Sequence, residues 1–162
     1  MSIVANAGEA IKMQDLEKSL EKAVAEVVST MLNQQPIIVH LDNGITIQGV
    51  SAIVGFGGKV SGLIAMHLSP ENACTLASGL LGMSFEEVDE IVSDAMGEIV
   101  NMLAGAMKKH ACQSEELFKI SIPSVVYGNH YSTHAPKDSE RRLIGVQAGP
   151  CSLAIQLVIE KR

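Results

Sequence analysis

The chain has 162 residues, a net charge of −6 and 47% apolar residues, which is enough for one compact domain with a real core. It contains three Phe, two Tyr and no Trp, so that core must rest on Val, Ile, Leu, Met and Ala. A nucleic-acid reader would want a basic face, often with stacking aromatics, and this composition supplies neither.

Residues 9–32 are predicted to form a first helix. Leu16, Leu20, Ala23, Val24, Val27, Val28 and Met31 recur at intervals of three and four, and Pro36 closes the segment. From 37 to about 68 the pattern predicts strands. Ile37 to Leu41 runs into Asp42-Asn43-Gly44, a turn signal, and Ile45 to Val54 follows. Gly55-Phe56-Gly57-Gly58 is a second break, with Lys59 to Leu68 as the return strand. Such short connections predict antiparallel hairpins. Ser69-Pro70-Glu71 starts a helix that ends near Leu81, before Gly82. Ser84-Phe85-Glu86-Glu87 has capping-box form and is predicted to open a long helix through about His110. Strands are predicted at 120–127, around His130, at 142–147 and at 151–159. One α+β domain over residues 1–162 is therefore expected, an antiparallel sheet covered by helices.

No apolar run reaches the roughly 18 residues that a bilayer span needs, and the first residues lack the basic stretch of a secretory signal. Cys74, Cys112 and Cys151 are isolated thiols, expected to be reduced packing residues rather than nucleophiles. A soluble cytoplasmic protein is the expectation, with neither membrane nor nucleic acid as partner.

The segment 84–110 carries the most information. At about 100° per residue, Val88, Ile91, Val92, Ala95, Ile99, Met102, Leu103 and Ala106 fall on one face, extended by Met96 and Met107. Asp94, Glu98 and Asn101 line up on the opposite, polar side, with Gly97 and Gly105 flanking them. Carboxylates on a helix surface are commonly just solvated. Asn, however, is a mediocre helix former, and each interior Gly costs about 1 kcal/mol relative to Ala. The glycines would serve close approach either by another element of this chain or by a partner.

Asp94-x-x-x-Glu98-x-x-Asn101 resembles the signature of the CheC and CheX phosphatases of bacterial chemotaxis. Three segments in the right order carry the resemblance: Val54 to Gly62, Val88 to Gly105, and Pro123-Ser124-Val125-Val126-Tyr127-Gly128. CheC relatives have two such helices, and no second Glu-x-x-Asn occurs here, so CheX is the better match. The resemblance implies a homodimer joined through the sheets. It also implies a substrate, the aspartyl phosphate of a CheY-like response-regulator receiver. In that reading Asn101 holds the attacking water, because an amide offers both donor and acceptor. Glu98 accepts a bond from a receiver lysine, and Asp94 is a supporting contact. Gly97 and Gly105 would border the partner surface. Magnesium would come with the receiver, and no cofactor or metal site of the chain's own is expected.

A non-catalytic module that binds a receiver, and a structural relative of the flagellar switch, are the alternatives. His130-x-x-x-His134 has metal-like spacing only on a helix, which Gly128 and Pro136 argue against. Gly55-x-Gly57-Gly58 lacks the Gly-Lys-Ser/Thr end of a phosphate loop.

Overall fold

The computed structural model describes residues 11–42, 45–111, 118–132 and 134–161. Three helices, α1 (Met13–Leu32), α2 (Pro70–Leu81) and α3 (Glu90–Ala111), accompany seven strands. The strands are β1 (Ile37–Leu41), β2 (Ile47–Gly58), β3 (Gly62–Leu68), β4 (Phe118–Ile120), β5 (Ser124–Tyr131), β6 (Ser139–Ala148) and β7 (Cys151–Glu160). They form one sheet in the order β1-β6-β7-β3-β2-β4, with β5 also paired to β2, and every pairing is antiparallel. The α+β class expected from the sequence is the one observed.

Alternation explains the layering. Val50, Ala52, Val54 and Phe56 of β2 share a face with Ile64 and Met66 of β3 and with Leu153, Ile155 and Leu157 of β7. These side chains and the buried stripes of the three helices make one continuous core. On α1 that stripe is Met13, Leu16, Leu20, Ala23, Val24, Val27 and Val28, at the predicted spacing. The start of α2 is also as predicted. Ser69 Oγ accepts the Asn72 N–H at 3.1 Å, Pro70 follows, and Gly82 ends the helix in the left-handed region at φ 66°.

Three local expectations need correction. The turn signal at 42–44 does not join a hairpin: β1 pairs with β6, while β2 lies between β3 and the β4 and β5 pair. Asn43 and Gly44 themselves lie outside the described residues. A turn signal marks where the chain bends, and the choice of strand partner is a tertiary matter. Here Gly145 of β6 sits opposite Val39, and its bare Cα leaves room for the Val39 and Leu41 side chains. The glycine-rich segment 55–58 is not a break either, because β2 runs through it to Gly58 and the turn falls at 59–61. Finally, the long helix starts at Glu90 rather than at Ser84. Asp89 lies immediately before it and accepts the Val92 N–H at 2.9 Å, so the cap is the acceptor nearest the apolar run.

Candidate functional site

Helix α3 is embedded along one side. Val92, Ala95, Met96, Gly97, Ile99, Val100, Leu103, Ala104 and Met107 are buried. This arc is rotated from the predicted one. Ile91 and Met102, expected inside, are exposed, while Gly97, Val100 and Ala104 lie inside. The rotation follows from what the helix packs on, which is the sheet through β2, β3, β4 and β5 together with α1 and α2.

Its C-terminal half is anchored. His110 Nε2 lies 2.7 Å from Glu26 Oε2 on α1, and Lys109 Nζ lies 3.6 Å from Glu26 Oε1. The hydrogen bond from His110, aided by the charge of Lys109, holds the Glu26 carboxyl below the usual carboxylate range. Lys108 reaches over the Phe118 ring at 5.9 Å. Basic residues also suit the negative end of a helix.

On the outward side Asp94, Glu98 and Asn101 are exposed in one line. Among the described residues none of the three has a side-chain hydrogen bond or ion pair. The two flanking glycines differ. Gly97 is buried, and a Cβ there would meet Pro123 Cγ at 3.5 Å and a Val125 methyl at 3.6 Å. Both are ordinary van der Waals distances, so the neighbour is an element of the same chain and leaves room for a Cβ at this position. Gly105 is exposed with nothing within 4 Å of a built Cβ, so the stripe continues there as bare backbone.

The element beside Gly97 is an interrupted edge. Strands β4 and β5 pair in succession with β2, through Phe56–Gly58 and Ile47–Ile53. The break between them is Ser121-Ile122-Pro123. Proline has no N–H for the ladder, which favours a break at this point. Ser121 stays pinned, its N–H donating to Gly55 O at 2.8 Å and its Oγ accepting the Gly55 N–H at 2.9 Å. Ile122 is 88% exposed.

Sequence spacing did not reveal a second polar constellation. Tyr131 Oη donates to Ser51 Oγ at 2.6 Å, Ser51 Oγ lies 2.6 Å from His67 Nδ1, and His67 Nε2 lies 3.3 Å from Gln156 Oε1. The proton directions are self-consistent. Tyr131 occupies an acceptor site on Ser51, Ser51 gives its hydrogen to Nδ1, and Nε2–H is left to donate to Gln156. It resembles a nucleophile relay in outline. Ser51, however, is 0% exposed and the third member is an amide, so the group acts as buried structure. Burial lowers the basicity of His67, against a smaller upward pull from Gln156.

Three further groups carry metal-ligand or thiol side chains. Glu17, Glu21 and His40 bring ligand-type atoms within 4.8 Å of one another. His40 contacts both carboxylates, at 2.9 and 3.2 Å, and Arg142 takes the other oxygen of Glu17 at 3.3 Å. The four side chains thus already form a network of polar contacts. His130 lies in strand β5, so the spacing to His134 does not place them on one helical face. Cys74 and Cys151 are buried free thiols. Burial pushes Cys151 up to about 11, and burial followed by nearby Asp89, Glu71 and Glu87 raises Cys74, which opposes thiolate chemistry. Cys112 lies outside the described residues. No described helix is long and apolar enough to cross a membrane.

Comparison with known proteins gives a consistent outcome. The family model of chemotaxis phosphatase CheX matches residues 50–147, a range that includes the whole of α3 and the Pro123 break. A segment of 80 residues is 35% identical to the CheY-P phosphatase CheX of Thermotoga maritima. It covers 47% of this chain and 50% of that protein, so the chain spans about half the length of the curated relative it matches. The structure of CheX from Desulfovibrio desulfuricans superposes with a TM-score of 0.78 at 24% identity, over 90% of this chain and 99% of that one. CheX of Borrelia burgdorferi, solved in a complex with CheY, BeF3 and magnesium, superposes with a TM-score of 0.75 at 24% identity, over 90% and 98%. At these identities the structural likeness is one of fold.

Proposed function

The chain belongs to the chemotaxis phosphatase CheX family, and from that premise we propose that it hydrolyses the aspartyl phosphate of a CheY-like response-regulator receiver. One observation carries the reading: Asp94, Glu98 and Asn101 stand exposed, and unengaged among the described residues, in a line on a helix whose back is buried. The complex of the Borrelia burgdorferi relative with CheY supports the choice of partner.

The chemistry suits a rigid helix with few reactive groups. A water attacks phosphorus in line, an O–P bond forms, and the bond from phosphorus to the aspartyl oxygen breaks. The aspartate carboxylate leaves, and the water's proton ends on the released phosphate. Positioning and electrostatics do most of the work in such transfers. Asn101 holds the water through its amide oxygen and NH2. Glu98, one turn earlier, accepts a charge-assisted bond from a receiver lysine and sets the register of docking. Asp94 supports that register at the N-terminal end of the stripe, and Gly105 lets receiver backbone approach α3 closely. Magnesium, held by the receiver, offsets charge on the phosphoryl group.

The protein is further proposed to form a homodimer through its sheet. Strand β1 is the end strand of the order and exposes Ile37, Val39 and Leu41, and an apolar strand edge of this kind calls for a cover. Sedimentation of the full chain tests it, with a monomer at micromolar concentration as the opposing result.

The deciding measurement for the activity is phosphate release from a phosphorylated receiver, with and without the protein. Acceleration that Asn101→Ala abolishes supports the phosphatase. Tight receiver binding without acceleration would leave a non-catalytic binding module in its place.

A further inference from the structure

Strand alternation puts Ser51 and His67 on the face of the sheet turned away from the helices. Val50 and Ala52 on either side of Ser51, and Met66 and Leu68 on either side of His67, belong to the helix-covered core. Ser51 is the Cα partner of His67 on β3 and of Val126 on β5, and Gln156 of β7 lies one diagonal step from His67. A register row thus runs from β5 through β2 to β3. Tyr131, further along β5, reaches back over it. Its Oη lies 2.6 Å from Ser51 Oγ and 3.5 Å from Val126 O.

Ser51, His67 and Gln156 are buried, whereas Tyr131 is half-buried and its contact with Val126 O lies at the surface. The hydroxyls of Ser51 and Tyr131 rotate about their C–O bonds, and each can donate once and accept twice. The heavy-atom positions therefore admit two polarities. In the first, Tyr131 donates to Ser51 and Ser51 donates to His67 Nδ1. In the second, Nδ1–H donates to Ser51 Oγ, Ser51 donates to Tyr131 Oη, and Tyr131 donates to the Val126 carbonyl. The second holds one proton more, resting on His67, and leaves no donor without an acceptor. In both, Nε2–H donates to Gln156 Oε1.

We propose that Tyr131, Ser51 and His67 form a reversible proton relay, through which the buried imidazole takes up and releases a proton while the protein stays folded. A hydronium ion gives its proton to Tyr131 Oη and leaves as water. The Tyr131 proton passes to Ser51 Oγ, and the Ser51 proton passes to His67 Nδ1. Bonds to hydrogen form at Oη, Oγ and Nδ1, and three break, at the hydronium ion, at Oη and at Oγ. No heavy atom has to move. The polar groups that face His67 are Ser51 of β2, Gln156 of β7 and, through Ser51, Tyr131 of β5; among the described residues no charged side chain faces it. The imidazolium is therefore supported by hydrogen bonds alone. Burial lowers its proton affinity, and the bond to Gln156 pulls the other way. The relay makes the middle of the sheet responsive to acid without the opening of a strand, and it is independent of the phosphatase reading.

The test is NMR of the full chain, labelled at the histidine ring nitrogens and at tyrosine Cζ, from about pH 8 to about pH 5. At the alkaline end Nδ1 of His67 should be the unprotonated ring nitrogen. As His67 takes up its proton, the Tyr131 Cζ resonance should move with the same midpoint, because the hydroxyl changes its acceptor. Tyr131→Phe should weaken proton binding at His67 about tenfold, since the Ser51 hydroxyl hydrogen then has no acceptor once Nδ1 is protonated. A tyrosine that only braces β5 would shift stability equally at both ends of the range and leave the His67 titration alone. A protonated Nδ1 at the alkaline end, a Tyr131 resonance indifferent to the His67 titration, or a His67 that titrates only on unfolding each overturns the relay. So does an unchanged titration in Tyr131→Phe. Where that variant does not fold, the readings on the parent chain decide.

Discussion

Helices α1 and α3 each carry two carboxylates four residues apart, Glu17 with Glu21 and Asp94 with Glu98, and the fold treats them oppositely. The pair on α1 is engaged. His40 of β1 touches both, and Arg142 of β6 takes the second oxygen of Glu17, so these carboxylates fasten the end strands to the helix above them. The pair on α3 meets no cation among the described residues. Identical spacing therefore yields a structural clamp in one place and an available acceptor in the other. What separates them is the set of side chains that the tertiary fold brings opposite. A carboxylate already satisfied within its own chain has little left to offer a partner's lysine.

Substitutions should separate the two acidic pairs. The largest effect is expected from Asn101→Ala, which should lower the phosphate-release rate about a hundredfold through loss of water positioning, with receiver affinity largely kept; a single-turnover assay reads it. Glu98→Ala should weaken docking and hydrolysis together, each about tenfold, through loss of one charge-assisted bond. A titration against the beryllofluoride-loaded receiver separates the two effects.

Acid should act elsewhere in the molecule. The folded pKa of His67 lies below the ordinary histidine value. Its neutral form therefore supports folding fully above about pH 6.5, and that support is lost as pH falls from there through the folded pKa. Thermal midpoints measured from pH 7.5 down to 5 should decline over this window, and His67→Gln should flatten the decline. The smallest effect belongs to the α1 clamp. Glu17→Gln should cost under about 1 kcal/mol of stability by denaturant titration and leave phosphate release at the parent rate. A loss of activity there would mean that the two acidic pairs are not functionally distinct.

Local signals made much of this architecture legible. The stripe on α1, the Ser69-Pro70 start and Gly82 stop of α2, and the alternation within β2 and β7 are all set by near neighbours in the chain, so periodicity and capping chemistry report them. The alignment of Asp94, Glu98 and Asn101 was equally local, since i, i+4 and i+7 of a helix must share a side. The partners of β1 were not legible, because Gly145 opposite Val39 is a contact more than a hundred residues distant in the chain. Ile91 and Met102 were misplaced for a related reason. They sit at the margin of the apolar arc, where the tertiary packing of α3 on its neighbours decides which side chains are covered. Ile122 carried no signal of its own, for a lone isoleucine before a proline reads as ordinary strand. Its 88% exposure, and the two bonds that fix the preceding Ser121 to Gly55, emerge only from the tertiary structure.

The proline at 123 has a further consequence, for how many copies can assemble. A sheet with two regular free edges can add strands at both ends and grow without limit. Here the β4–β5 side is interrupted at Pro123, shifts register near Gly49, and carries His130 in the left-handed region at φ 55°. Its regular run, Ser124 to Gly128, is bounded by an irregularity at either end. The β1 side keeps an unbroken register from Ile37 to Leu41. Strand addition through β1, the dimer proposed above, would use up that edge once two molecules have met, and any further growth would have to start from the side that is broken at Pro123.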